Sequence, residues 1–65
     1  MTPDEDILRA FQELPDHRKS DLQSLVDEYN FACRLSQKSR PDQLGYWKKM
    51  VLGLENDLRK LLDLD

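Results

Sequence analysis

The sequence has few of the residues that cross-link small proteins. Cys33 is the only cysteine, so an intramolecular disulfide is excluded, and His17 is the only histidine, which excludes the usual Cys/His zinc sites. No apolar run approaches the roughly 20 residues that span a bilayer. The first residues are acidic, where a secretory signal begins basic and continues apolar. Together with the single thiol, these absences predict a cytoplasmic protein that does not enter the membrane.

The small size of the chain limits its architecture. Its 65 residues predict a single domain, residues 1–65. A core of this size rarely contributes more than about 3–5 kcal/mol, so stability depends on close helix packing or on self-association. Leu, Ile, Val and Phe occupy 17 positions, which is enough apolar surface for folding.

Three helical segments are predicted, and the three prolines separate them. The first covers residues 3–14, with Thr2 as its cap, Pro3 at its first position and Glu5 completing a capping box. The second covers residues 17–36 and ends in a turn before Pro41. The third covers residues 41–62, and no segment alternates in the manner of a β-strand. A short turn makes the second and third helices antiparallel neighbours, so we expect an all-α, long helical hairpin with a short N-terminal helix.

The third segment has the strongest apolar pattern. Its apolar residues follow a 3-4-3-4-3 spacing, which forms a heptad seam, and flanking residues widen the apolar arc beyond what one neighbouring helix covers. We therefore predict that two hairpins pair into a homodimeric helical bundle. The residues predicted to mediate this self-association are Leu44, Trp47, Met50, Val51, Leu54, Leu58 and Leu61.

Charge is distributed unevenly along the chain. Residues 1–33 carry a net charge of −5, residues 34–49 carry +4 and residues 50–65 carry −2, although the total is only −3. The hairpin therefore has a basic end, which we call the basic tip. It is a candidate contact for an acidic protein surface or a phosphate. The basic tip comprises Arg34, Lys38, Arg40, Lys48 and Lys49.

A second candidate contact lies on the second helix. Phe31 and Leu35 are one turn apart and point away from the apolar stripe of that helix. An adjacent Phe–Leu pair outside the stripe suggests an apolar patch for association, with a second copy of the chain or with a partner protein. Packing of the first helix against this pair is the alternative.

The sequence contains no pattern that indicates catalysis. Asp16, His17 and Ser20 are neighbours at a helix start, with no second element to build an oxyanion hole, and Cys33 lies within an apolar stripe. No catalytic, cofactor-binding or metal-binding residue is predicted, and the protein is expected not to be an enzyme. The leading hypothesis is a homodimeric regulator or inhibitor that binds and occludes a larger protein. The alternatives are a nucleic-acid-binding regulator with paired basic tips, which a pI of about 5.0 disfavours, and a structural subunit of a larger assembly.

Overall fold

The computed structural model describes residues 2–64, which form three helices joined by short turns. Helix α1 is Glu5–Gln12, α2 is Asp16–Lys38 and α3 is Pro41–Leu61. Helices α2 and α3 pack against each other along the hairpin, and α1 packs against α3. The predicted all-α hairpin preceded by a short helix is confirmed.

The first helix is shorter than predicted, because its cap is Asp4 and not Thr2. Asp4 has an extended backbone, and its carboxylate accepts the N–H of Asp6 at 2.9 Å. An aspartate is a strong helix cap, so the helix begins after it and Pro3 lies outside the helix. At the other end, Leu14 leaves the helix and packs against the core.

The turn between α2 and α3 is tighter than predicted. Helix α2 continues to Lys38, two residues beyond the predicted end, and only Ser39 and Arg40 connect it to α3. Both residues are extended, with ψ angles of 155° and 156°. Arg40 must leave the helical region because Pro41 follows it. The backbone of Arg40 is accordingly extended and not helical. Residues 16–38 contain no glycine or proline that would end α2 earlier.

The core lies along one side of the hairpin, where the N-terminal segment covers it. Tyr29 is fully buried, and its hydroxyl accepts the backbone N–H of Asp4 at 2.8 Å, while Arg59 forms an ion pair with Asp4. Helix α1 therefore starts near the middle of the hairpin and runs towards its open end, where it buries Ile7 and Phe11. The buried apolar residues of the core are Ile7, Phe11, Leu22, Val26, Tyr29, Ala32, Cys33, Val51 and Leu58.

Helix α3 ends in a hydrogen-bonded Schellman motif, although the acidic C-terminal sequence suggests fraying. The N–H of Leu64 donates to the carbonyl of Arg59 at 2.9 Å, and the N–H of Asp63 donates to that of Lys60 at 3.3 Å. Leu64 also packs against the core. Asp63 adopts a φ of 56°, the left-handed conformation that favours glycine.

Asp63→Gly is therefore expected to raise the free energy of unfolding by about 1 kcal/mol. Glycine removes the cost of a left-handed backbone and also a negative charge from a helix C-terminus. Urea denaturation followed by circular dichroism measures the change. Asp63→Ala is the control, because it removes the charge and keeps a Cβ. An equal gain from alanine and glycine would show that backbone conformation contributes nothing at this position.

Candidate protein-binding surface

The side of the hairpin that faces away from the N-terminal segment carries an open apolar groove. It has a volume of about 440 Å³ and is lined by residues of α2 and α3 only, namely Glu28, Phe31, Trp47, Met50 and Leu54. Phe31 is 58% exposed and Met50 is 37% exposed. Four of the five lining side chains are apolar, so the groove is a hydrophobic surface that water contacts.

The geometry of α2 explains why Phe31 is excluded from the core. Residues two apart on an α-helix point about 160° away from each other. Tyr29 points to the side covered by the N-terminal segment, so Phe31 must point to the opposite side. A smaller cavity beside Pro3, Arg34 and Gln37 marks the covered side. The groove therefore lies on the face of the hairpin that the N-terminal segment leaves open.

Two aromatic side chains of α3 extend this open face towards the hairpin turn. Trp47 lines the groove and packs partly against the core. Tyr46 lies edge-on to Trp47, with ring centroids 5.0 Å apart and ring planes at 81°. Tyr46 is itself 62% exposed. Gly53 lies two turns after Tyr46 on the same side of α3. It is exposed, and a Cβ added there would meet no atom within 4 Å.

The structure divides the predicted apolar patch. Phe31 lies in the groove, whereas Leu35 is half-buried and is not one of the lining residues. Packing of helix α1 against the pair, the alternative interpretation, does not occur, because α1 lies against α3 at the open end of the hairpin. What the sequence did not reveal is that Phe31 shares one groove with Trp47 and Met50, since these residues meet only after α2 and α3 pack.

The predicted self-association residues occupy three different environments. Val51 and Leu58 are fully buried by contacts within the chain, which leaves them no surface to offer a second copy. Trp47, Leu54 and Leu44 are half-buried, and Met50 and Leu61 are exposed. The heptad seam of α3 is thus buried within the chain at Val51 and Leu58, whereas its members Trp47 and Leu54 also line the open groove beside Met50.

The basic tip is entirely exposed and surrounds the hairpin turn. Arg34 and Lys38 lie in the last turns of α2, Arg40 lies in the connection, and Lys48 and Lys49 lie in the second turn of α3 and just beyond it. Arg34 lines the cavity beside Pro3 on the covered side of the hairpin. Lys48 points about 100° around α3 from Trp47, and neither residue lines the groove. Apart from Lys38, which lies on the groove side of α2, the tip therefore presents a positive surface outside the lining of the apolar groove.

The partly buried polar groups around Tyr29 are bonded to one another on the covered side. The Tyr29 hydroxyl donates to Oε2 of Glu55 at 3.1 Å while it accepts from Asp4. Burial, together with the neighbouring Glu55 carboxylate, raises the pKa of Tyr29 above its ordinary range. Burial also raises the pKa of the Cys33 thiol, so this cysteine is a protonated core residue at neutral pH.

The described part of the chain also shows no arrangement for metal binding or membrane insertion. Within residues 2–64, no group of three or more His, Cys, Asp or Glu side chains is placed to hold a metal ion. No helix in the same range is both long and apolar enough to cross a membrane. Asp16, His17 and Ser20 are exposed at the start of α2.

Comparison with known proteins identifies no relative. No protein-family model, no characterised protein and no solved structure matches this chain. Evidence about function therefore comes from the surface residues of this chain alone. They form two surfaces, the open apolar groove and the basic tip.

Proposed function

We propose that this protein is a non-enzymatic interaction module of the cytoplasm, a homodimeric regulator or inhibitor that binds a larger protein and occludes part of its surface. The observation that carries the proposal is the open groove, in which Phe31, Trp47 and Met50 stay accessible to water. Aromatic residues and methionine are enriched at protein interfaces, where they contribute much of the binding energy. An apolar groove rimmed by polar residues is a common mark of an interaction site.

The two surfaces suit two different contacts. The groove offers apolar area and a shape that accepts a helix of another chain, so it is the proposed site of self-association. The basic tip offers charge without apolar area, and we assign it to an acidic region of the larger protein. Complementary charge speeds association and selects against the wrong partners. Inhibition then results from coverage of the partner's surface, with no chemical step.

The nucleic-acid alternative depends on the same basic tip. Its five bases are offset by Asp42 and belong to a chain with a net charge of −3. Binding to duplex commonly uses a basic face that contacts many phosphates. A larger protein with an acidic patch needs fewer charges, so it is the preferred partner. A structural role in a larger assembly would use the groove in place of self-association.

Reversal of charge at the tip tests the proposal. We expect Arg34→Glu/Lys48→Glu to abolish capture of a defined protein from the source cell, and to weaken its binding in purified form by about tenfold or more. Both residues lie away from the groove, so this variant keeps its self-association. Capture followed by mass spectrometry and then calorimetry with the purified partner provides the measurement.

Arg9→Glu/Lys60→Glu is the matched control, because it changes the net charge equally at exposed positions of the open end. Capture of the same proteins by both double variants and by the unmodified chain would contradict the proposed role of the tip. A gel shift with duplex DNA and RNA accompanies the experiment. Retardation that the tip variant alone abolishes would favour the nucleic-acid alternative.

A further inference from the structure

The groove side of α2 carries a second heptad stripe in addition to the buried one. The positions repeat at 3-4-3-4-3 spacing, so they share one face of the helix. All are exposed except Leu35, which is half-buried. The stripe comprises Asp21, Ser24, Glu28, Phe31, Leu35 and Lys38.

The side chains of this stripe change along the helix from acidic to apolar to basic. Its acidic residues, Asp21 and Glu28, lie towards the open end of the hairpin, and Lys38 lies at the tip. Phe31 and Leu35 lie between Glu28 and Lys38. The charged ends of the stripe, Asp21 and Lys38, are therefore complementary when the stripe is turned end to end.

We propose that the occupant of the groove is a second copy of this chain, packed in the antiparallel direction so that α2 lies along α2 of the second copy. In this register Lys38 faces Asp21 of the second copy, Leu35 faces Ser24, and Phe31 faces Glu28. Each contact occurs twice because the pair has twofold symmetry. The inference rests on the proposed function, since it gives the direction and register of the self-association at the groove.

Charge decides between this arrangement and the parallel one. A parallel pair would place Lys38 beside Lys38 of the second copy and Asp21 beside Asp21, and it would bring both +4 segments together. Like charges that face each other across an interface are repulsive. In the antiparallel pair, Lys38 of each chain lies against the acidic open end of the other, while Arg34 and Lys48, which do not line the groove, stay available to the larger protein.

Helix α3 fits the same arrangement. At about 1.5 Å per residue, Met50 lies about 14 Å from the hairpin turn, level with the midpoint of the α2 stripe between Glu28 and Phe31. The twofold axis therefore passes close to Met50, and Tyr46 of one copy comes to the level of Gly53 of the other. A helix-interior glycine destabilises its own helix, and nothing in the chain crowds the position of a Cβ at Gly53. Space for Tyr46 of a second copy is a physical reason for a glycine there.

The charge pair supplies the first test. Sedimentation equilibrium should show that Lys38→Glu and Asp21→Lys each weaken self-association about tenfold, because each replaces two attractive contacts by two repulsive ones. An equimolar mixture of the two variants, and the double variant, should regain the affinity of the unmodified protein. Variants that are each weakened but do not recover when mixed would overturn the antiparallel register. Circular dichroism confirms that each variant is folded.

The two glycines supply the second test. Gly53→Leu should weaken self-association by about tenfold or more, because its side chain fills the space that Tyr46 requires. Gly45→Leu is the matched control, since Gly45 is also an exposed glycine of α3 with open space around it but lies off the groove side. Equal association by both variants would contradict the proposed contact.

Measurement of the oligomeric state distinguishes a failure of this inference from a failure of the proposed function. An unmodified chain that stays monomeric at several hundred micromolar, while its tip still captures a defined protein, overturns the second copy as occupant and leaves the tip's binding role standing. A chain that dimerises with the predicted charge rescue, but captures no protein, supports the inference and contradicts the regulatory role.

Discussion

Leu58→Ala is expected to lower the free energy of unfolding by about 3 kcal/mol. Leu58 is fully buried within a single chain, so the truncation leaves a cavity that the surrounding helices fill only in part. A domain of this size has roughly 3–5 kcal/mol of stability in total, so a large fraction of the variant should be unfolded at moderate temperature. Urea denaturation at low micromolar concentration measures the loss.

Leu52→Ala is the control for this truncation. Leu52 lies in the same helix, is 51% exposed and lies off the groove side, so we expect a change below about 0.5 kcal/mol. The loss in Leu58→Ala should not depend on protein concentration, since its contacts lie within the chain. A loss that appears only at concentrations where the protein self-associates would instead place Leu58 in an interface.

Tyr29→Phe is expected to lower the free energy of unfolding by about 2 kcal/mol. The change removes the acceptor of the Asp4 N–H and the donor to Glu55, and phenylalanine offers neither group a replacement. These bonds connect the N-terminal segment to the hairpin, so amide hydrogen exchange of α1 should accelerate most. Tyr46→Phe, at an exposed tyrosine, is the control and should change stability by less than about 0.5 kcal/mol.

The same tyrosine predicts a loss of stability in alkali. The pKa of Tyr29 is raised in the folded protein, so the folded chain retains a proton that the unfolded chain loses near the ordinary value of 10.0. Its contribution is therefore complete below about pH 10 and decreases as the pH rises further, by at most about 1.4 kcal/mol per pH unit. Tyr29→Phe should lack this part of the decline. Parallel decline in both proteins above pH 10 would contradict the assignment.

Much of the helical architecture could be predicted from the spacing of the apolar residues and the positions of the prolines. Pro41 fixes the start of α3, and its effect on Arg40 forces the turn, because both consequences are local. The cap was harder to predict, since Thr2 and Asp4 both have suitable side chains. The choice depends on the distant Tyr29 hydroxyl and Arg59 guanidinium, both of which bind Asp4.

The groove could be predicted only in part, because it depends on which face the N-terminal segment covers. The exposed position of Phe31 follows from helix periodicity alone. The burial of Val51 and Leu58 does not, because a heptad seam is equally consistent with a partner helix in the same chain or in another. Ile7 and Phe11 of helix α1 join Val51 and Leu58 in the core, and they cover part of the apolar surface that the sequence assigns to a second copy. On the groove side of α3, the exposed residues Met50 and Tyr46 lie beside the seam, and the half-buried seam residues Trp47 and Leu54 line the groove.

Sedimentation equilibrium of the unmodified chain and of Phe31→Asp tests the central claim, that the open groove is a surface for another copy of the protein. We expect the unmodified chain to reach about twice its mass of 7.7 kDa as the concentration rises to several hundred micromolar. Phe31→Asp should remain at the monomer mass, and Leu52→Asp should behave as the unmodified chain does. Masses near 7.7 kDa for all three proteins, or association that survives in Phe31→Asp, would contradict the account.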